Sequence, residues 1–199
     1  MNKIILFFVL VFCVLNVAFS QSIESKIREF ARNEYPNDYE MQQYIYKQQI
    51  SAYNYMLTVT DKEVKDFAKR EYPNDYAMQK YIYDQQLSAK RYSGSFEDSE
   101  IEKIAIREYP NDYSMQKYVY EKQLAAKKYM RTVEDQEVKL IAKREYPNDY
   151  SMQKYVYDKQ LSAKHYMRNV TNLSAKSKAI REYPNDFSMQ KYIYDKIVY

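Results

Sequence analysis

Paired carboxyl groups are the residues in this chain that come nearest to a catalytic motif. The phrase EYPNDY places the carboxyl groups of Glu71 and Asp75 four residues apart. Two such groups can act as general acid and general base when their environments differ. The phrase, or its variant EYPNDF, begins at five positions, namely Glu34, Glu71, Glu108, Glu145 and Glu182. Because an active site is normally a single constellation, five equivalent copies favour a structural role for the phrase.

Other residues that carry chemistry are scarce. His165 is the sole histidine, and Cys13, the sole cysteine, lies in an apolar run near the N-terminus. Nucleophile–base triads built on Cys or His and multi-histidine metal sites therefore have no support in the sequence. With Gly94 as the only glycine, a phosphate-binding loop is unsupported as well. We predict that the protein is not an enzyme and that it binds no cofactor and no metal.

The 37-residue spacing of the phrase predicts a repeat protein. Fixed periods of about 20–50 residues are typical of stacked repeat architectures. We place a repeat domain at 21–199, with repeats at 22–58, 59–95, 96–132, 133–169 and a shortened 170–199. Every proline of the chain lies in the phrase and is predicted to form a structural turn: Pro36, Pro73, Pro110, Pro147 and Pro184.

Two helices are predicted in each repeat, helix A before the phrase and helix B after it. In helix A of the second repeat, Val64, Phe67 and Ala68 have the spacing of one apolar helical face. Helix B carries apolar residues on two nearly opposite faces, so it must be covered on both sides or must offer one side to a partner. The predicted fold is all-α, with tandem 37-residue helical hairpins stacked as a short α-solenoid.

A zigzag of longer helices is the alternative fold. No glycine or proline lies between Asn111 and Pro147, so helix B and the next helix A could be continuous there, with breaks only at each PND. The capping-box spacing of Thr60 and Glu63 favours instead a new helix start at the repeat junction.

The phrase itself is interpreted as a helix stop followed by a helix start. Pro73 cannot continue helix A, and Asn74 and Asp75 are favourable N-cap residues for helix B. Glu71 does not fit this account, because a negative charge in the last turn of a helix opposes the helix dipole. We expect Glu71 to pair with Lys80 or a neighbouring base, or to accept amide hydrogens from the start of helix B.

The N-terminus predicts export. Residues 1–20 contain Lys3, an apolar run and a final Ala18-Phe19-Ser20, which is the pattern of a cleaved signal peptide. We expect a secreted, periplasmic or cell-envelope protein without membrane insertion after cleavage. The net charge is only +4, and acids and bases alternate along the chain, which argues against a nucleic-acid partner.

The 25 tyrosines permit two interpretations. They can form the core and the contacts between repeats, or they can form a recognition surface, because tyrosine offers rigid amphipathic area at low entropic cost. The candidate partner-binding face consists of a tyrosine, a lysine and a second tyrosine per repeat: Tyr76, Lys80, Tyr83, Tyr113, Lys117, Tyr120, Tyr150, Lys154 and Tyr157. The expected partner is a protein, a peptide or a glycan.

The run E-Y-P-N-D-Y-x-M-Q-K-Y resembles helical segments of the pattern E-[WY]-P-x-D-[YF]-x-M-Q-x-Y in uncharacterised bacterial exported proteins. The resemblance covers about a third of each repeat and implies a bacterial source without implying an activity. The repeat is also similar in size to tetratricopeptide repeats, but the Trp, Leu-Gly and Ala signature of that family is not met.

Three functions follow in order of preference. The first is an exported, non-catalytic helical-repeat protein that binds or scaffolds another macromolecule. The second is a tyrosine-rich structural protein that assembles at a surface, and the third is an unrecognised hydrolase.

Overall fold

The computed structural model describes residues 22–199, and the predicted signal peptide lies outside the described residues. This part of the chain forms ten helices and contains no strand. The helices are α1 (22–34), α2 (Tyr39–Thr58), α3 (Lys62–Glu71), α4 (Tyr76–Ser93), α5 (Ser99–Glu108), α6 (Tyr113–Thr132), α7 (Gln136–Glu145), α8 (Tyr150–Arg168), α9 (Leu173–Glu182) and α10 (Phe187–Val198).

The described residues form two compact units. The N-terminal unit extends to Ser95 and also contains Asn111–Ser114, and the C-terminal unit comprises Phe96–Pro110 and Met115–Tyr199. In both units a short helix A alternates with a longer helix B along the chain. The odd-numbered helices are A helices and the even-numbered helices are B helices.

The helical-hairpin prediction is confirmed, and the zigzag alternative is wrong. Helix α6 ends at Thr132 and α7 begins at Gln136, in the stretch that lacks glycine and proline. The break occurs because Asp135 caps α7: its side chain accepts the amide hydrogen of Val138 at 3.1 Å. An aspartate at this position stabilises a helix start more than it stabilises a helix interior.

Helix α3 begins one residue later than its capping-box spacing suggests. Asp61, rather than Thr60, is the N-cap and accepts the amide hydrogen of Val64 at 3.1 Å. The carboxylate of Asp61 also lies 3.0 Å from Nζ of Lys90.

The turn prediction for the phrase is confirmed. The amide of Tyr72 donates to the carbonyl of Ala68 at 3.1 Å, which closes the last turn of α3 before Pro73. Asp75 then caps α4 by accepting the amide hydrogen of Met78 at 3.0 Å. Helices α3 and α4 are therefore joined by a few residues and pack as an antiparallel pair.

In the N-terminal unit, α3 and α2 both pack against α4. Met56, Val64, Ala68 and Tyr83 form the buried cluster between these helices. This arrangement explains the two apolar faces of helix B, because one face meets helix A of its own repeat and the other meets helix B of the preceding repeat.

In the C-terminal unit, α7 and α10 both pack against α8, and α9 packs against α10. Ile101, Ile104 and Val119 belong to one buried cluster, and Val138 and Ile141 belong to the next. Among residues 22–199, no helix combines the length and the apolar character that crossing a bilayer requires.

Candidate binding surface

The first tyrosine of the predicted face lies at the start of helix B and is half-buried. Tyr113 Oη donates to Glu63 Oε2 at 2.9 Å, and Nζ of Lys90 lies 5.1 Å from the centre of the Tyr113 ring. The same arrangement, with distances of 2.9 and 4.9 Å, recurs one repeat later in Tyr150, Glu100 and Lys127. Tyr76, at the corresponding position, instead meets the Tyr53 ring edge-on at 5.0 Å.

These contacts belong to an ionic cluster that joins helix B to the N-terminus of helix A. Lys90 Nζ lies 3.0 Å from Asp61 Oδ2 and 2.8 Å from Glu63 Oε2. Hydrogen bonds from Lys90 and then Tyr113 lower the pKa of Glu63, and the bond to Glu63 raises the pKa of Lys90. The cluster recurs as Lys127 with Asp98 and Glu100, and as Lys164 with Asp135 and Glu137.

The lysine of the predicted face pairs with a carboxylate on its own helix. Lys80 Nζ lies 2.8 Å from Asp84 Oδ2, and Tyr55 Oη donates to Asp84 Oδ1 at 2.6 Å. The hydrogen bond to Asp84 raises the pKa of Tyr55 to about 12. Lys154, Asp158 and Tyr129 repeat this arrangement, and Lys117 at the corresponding position is half-buried.

Of the contacts expected for Glu71, only the ion pair with a neighbouring base is present. Lys80 pairs with Asp84 instead, and the exposed Glu71 pairs with its neighbour Arg70, at 3.5 Å between Nε and Oε1. The amide hydrogens at the start of α4 bond to Gln49 and Asp75. The structure gives no physical reason for a glutamate at this position.

The second tyrosine of the predicted face is not at the surface. Tyr83, Tyr120 and Tyr157 are each 3% exposed. The Tyr120 hydroxyl accepts the amide hydrogens of Glu97 and Asp98, both at 3.0 Å. These three tyrosines are core residues that hold the start of helix A, so they are removed from the candidate surface. Periodicity alone did not reveal which apolar face of helix B meets helix A.

Buried glutamines connect successive B helices, a role that was not predicted from the sequence. Gln123 Nε2 donates to Asp149 Oδ1 at 2.9 Å, and Gln123 Oε1 accepts the amide hydrogen of Ser151 at 3.1 Å. One glutamine thereby joins two successive B helices at the helix start. Glutamine occupies this position in four repeats, namely Gln49, Gln86, Gln123 and Gln160, and that recurrence was the available signal.

A different tyrosine of helix B is exposed. In the C-terminal unit, Tyr118, Tyr155 and Tyr192 occupy equivalent positions on α6, α8 and α10 and are 56%, 59% and 57% exposed. An exposed lysine follows each of them four residues later, on the same helical face. These lysines are Lys122, Lys159 and Lys196. We call these six residues the Tyr–Lys face.

The N-terminal unit provides an internal comparison. Tyr44 and Tyr81 occupy the same repeat position and are also exposed. Glutamine replaces the lysine in both cases, as Gln48 and Gln85, and Gln48 Nε2 donates to Tyr44 Oη at 2.6 Å. Among the described residues, an exposed tyrosine followed by an exposed lysine four residues later on a B helix is therefore specific to the C-terminal unit.

The fold and these side chains define an all-α helical-repeat protein with recurring surface positions. A scan against protein-family models finds no match for this chain, and neither curated proteins nor solved structures match it. Within residues 22–199, no group of three or more His, Cys, Asp or Glu side chains is placed to hold a metal ion.

Proposed function

We propose that this protein is a non-catalytic helical-repeat module that binds an acidic polysaccharide along the Tyr–Lys face. The observation that carries the proposal is the recurrence of one exposed tyrosine and one exposed lysine at the same positions of α6, α8 and α10. Exposed tyrosines that pack in no core are typical of recognition surfaces.

The recurrence favours a polymer of identical units. Helices that pack together lie about 8–10 Å apart, so α8 and its packed neighbour α10 present their Tyr–Lys pairs at roughly that spacing. A peptide of mixed sequence has no reason to meet the same residue pair on successive helices. A polyuronate does, because each sugar offers a flat C–H face for a tyrosine ring and a carboxylate for a lysine.

The three lysines of the Tyr–Lys face support an anionic ligand. Lys122, Lys159 and Lys196 form no ion pair with another described residue. They differ in this respect from Lys127, which is held by two carboxylates. Exposed lysines without such partners attract an acidic polymer, and salt weakens the attraction.

Calorimetric titration with polygalacturonate tests the proposal. The variant K122Q/K159Q/K196Q should bind polygalacturonate roughly tenfold more weakly than the unaltered protein, because three surface charge contacts are lost. The matched control K103Q/K143Q/K178Q removes three exposed lysines from the A helices α5, α7 and α9 and should bind like the unaltered protein.

Three results would contradict the proposal. One is equal weakening in both triple variants, which would show that net charge alone attracts the polymer. Another is a heat of binding for neutral dextran as large as that for polygalacturonate, which would show that charge has no role. The third is tighter binding of polyglutamate or of a single-stranded oligonucleotide, which would assign the Tyr–Lys face to another class of partner.

A further inference from the structure

The N-terminal unit contains an apolar groove of about 340 Å³ between helices α1, α2, α3 and α4. Its volume is in the range of small-molecule sites, roughly 300–1,000 Å³. The side chains that line it are mainly apolar or aromatic. They include Ile23, Tyr53, Met56, Leu57, Pro73 and Tyr76.

The apolar character of the groove is particular to the first repeat. Tyr53 stands where later repeats carry the lysine of the ionic cluster, so a tyrosine pair with Tyr76 replaces the ion pairs. Leu57 is 60% exposed although later repeats carry glycine or arginine at its position. The later residues at these two positions are Lys90, Lys127 and Lys164, and Gly94, Arg131 and Arg168.

Exposure of the apolar side chain of Leu57 to water is unfavourable unless something covers it. End repeats usually carry polar residues on their outer face, which keeps a repeat protein soluble. Ile23, which is buried, stands where the second repeat has Thr60 and the third has Glu97. Three apolar replacements that meet in one groove indicate a ligand site rather than scattered surface variation.

Two lysines define the charge of the ligand. Lys65 and Lys69 lie one turn apart on α3, and both line the groove. Neither forms an ion pair with another described residue, although Lys62 on the same helix pairs with Asp66. An apolar groove that is also lined by two ammonium groups is complementary to a single acyl chain with an ionised carboxylate.

We propose that this groove binds a fatty acid, with the carboxylate at Lys65 and Lys69 and the acyl chain against Ile23, Met56 and Leu57. The site is separate from the Tyr–Lys face and does not depend on the function proposed for it. Binding is reversible and involves no covalent step.

Calorimetry of the full chain with laurate tests this site. L57R introduces the arginine of the fourth repeat's equivalent position and should weaken laurate binding at least about tenfold, because a charged side chain then enters the acyl channel. The control L140R makes the same change at a leucine of α7 that is 66% exposed and lies outside the groove, and it should bind laurate normally. K65Q/K69Q should also weaken laurate binding about tenfold.

A cationic amphiphile with the same tail separates the proposed site from general adsorption. Dodecyltrimethylammonium should bind much more weakly than laurate, and K65Q/K69Q should narrow that difference. The proposal fails if L57R and L140R bind laurate equally, or if the two amphiphiles bind equally to the unaltered chain. Circular dichroism of each variant confirms that the helices are retained, so that a loss of binding reports on the groove.

Discussion

One lysine near the end of a B helix holds the start of helix A in three repeats. The side chain of Lys127 is only 15% exposed, and its Nζ lies 2.8 Å from both Asp98 and Glu100. Asp98 is at the same time the N-cap of α5. The lysine therefore neutralises two carboxylates, which also interact favourably with the positive end of the helix dipole. The cluster stabilises the hairpin at the end opposite its turn, where helix A begins and helix B ends.

Acid should destabilise the protein through this cluster. The hydrogen bond from Lys127 lowers the pKa values of Asp98 and Glu100 from their ordinary 3.8 and 4.5. Because the folded-state values lie below the unfolded ones, the stabilisation is fully present above about pH 4.5 and is lost as the pH falls through the lowered values. Urea unfolding between neutral pH and about pH 3 should therefore show a steeper loss in the unaltered protein than in K127M. This role is contradicted if the free energy of unfolding falls with pH equally in K127M and in the exposed control K128M.

The buried glutamines should tolerate substitution poorly. In Q123L, the amide of Ser151 loses its partner, whereas the carboxylate of Asp149 loses the bond from Gln123 but still accepts the amide hydrogen of Met152. Leaving a buried polar group unpaired costs about 1–3 kcal/mol, so we expect a loss of about 2 kcal/mol in the free energy of unfolding by urea. Q136L, at an exposed glutamine of α7, should change it by less than about 0.5 kcal/mol. A neutral Q123L would show that the glutamine bridge is unimportant.

At the scale of the helix, capping decides where each hairpin begins. Asp135 separates α6 from α7 and also binds Lys164, whose Nζ lies 2.8 Å from its Oδ2. D135A should lower the free energy of unfolding by about 1–2 kcal/mol, because both the cap and the ion pair are lost. D135N should lower it less, since asparagine caps α9 at the equivalent Asn172. If thermal unfolding shows that D135A and D135N lose the same free energy of unfolding, the cap itself contributes little.

The helices and their turns could be predicted from sequence because their signals are local. Proline, the N-cap aspartates and the spacing of Val64, Phe67 and Ala68 act within a few residues, and each leads to the observed hairpin. The ion pair between the N-cap Asp61 and Lys90 could not be predicted, because Lys90 lies on another helix.

The candidate surface could be predicted only in part. Tyr118 and Tyr120 lie two residues apart on a helix that is apolar on two faces, yet the first is exposed and the second is buried. Their difference arises from how α6 meets α5, which sequence periodicity does not contain. The exposed tyrosines can be identified only when it is known which helices pack against each face of helix B.

At the scale of the whole molecule, a repeat protein should tolerate the loss of one repeat. Each repeat of such a protein contacts mainly its neighbours, so stability is roughly a sum of local terms. Deletion of 133–169 joins Thr132 to Val170 in register. We expect the mean helicity per residue to be unchanged in circular dichroism and the urea m-value to fall with the surface buried. Loss of the cooperative transition would contradict a modular fold.

The most direct test of the proposed surface is tyrosine nitration, read residue by residue by mass spectrometry, with and without polygalacturonate. In the free protein, Tyr118, Tyr155 and Tyr192 should react quickly, whereas the buried Tyr120, Tyr157 and Tyr194 should react slowly. Polygalacturonate should protect the first three and leave the exposed Tyr44 and Tyr81 of the N-terminal unit unchanged. Undiminished nitration of Tyr118, Tyr155 and Tyr192 at a saturating concentration of polymer would contradict the account.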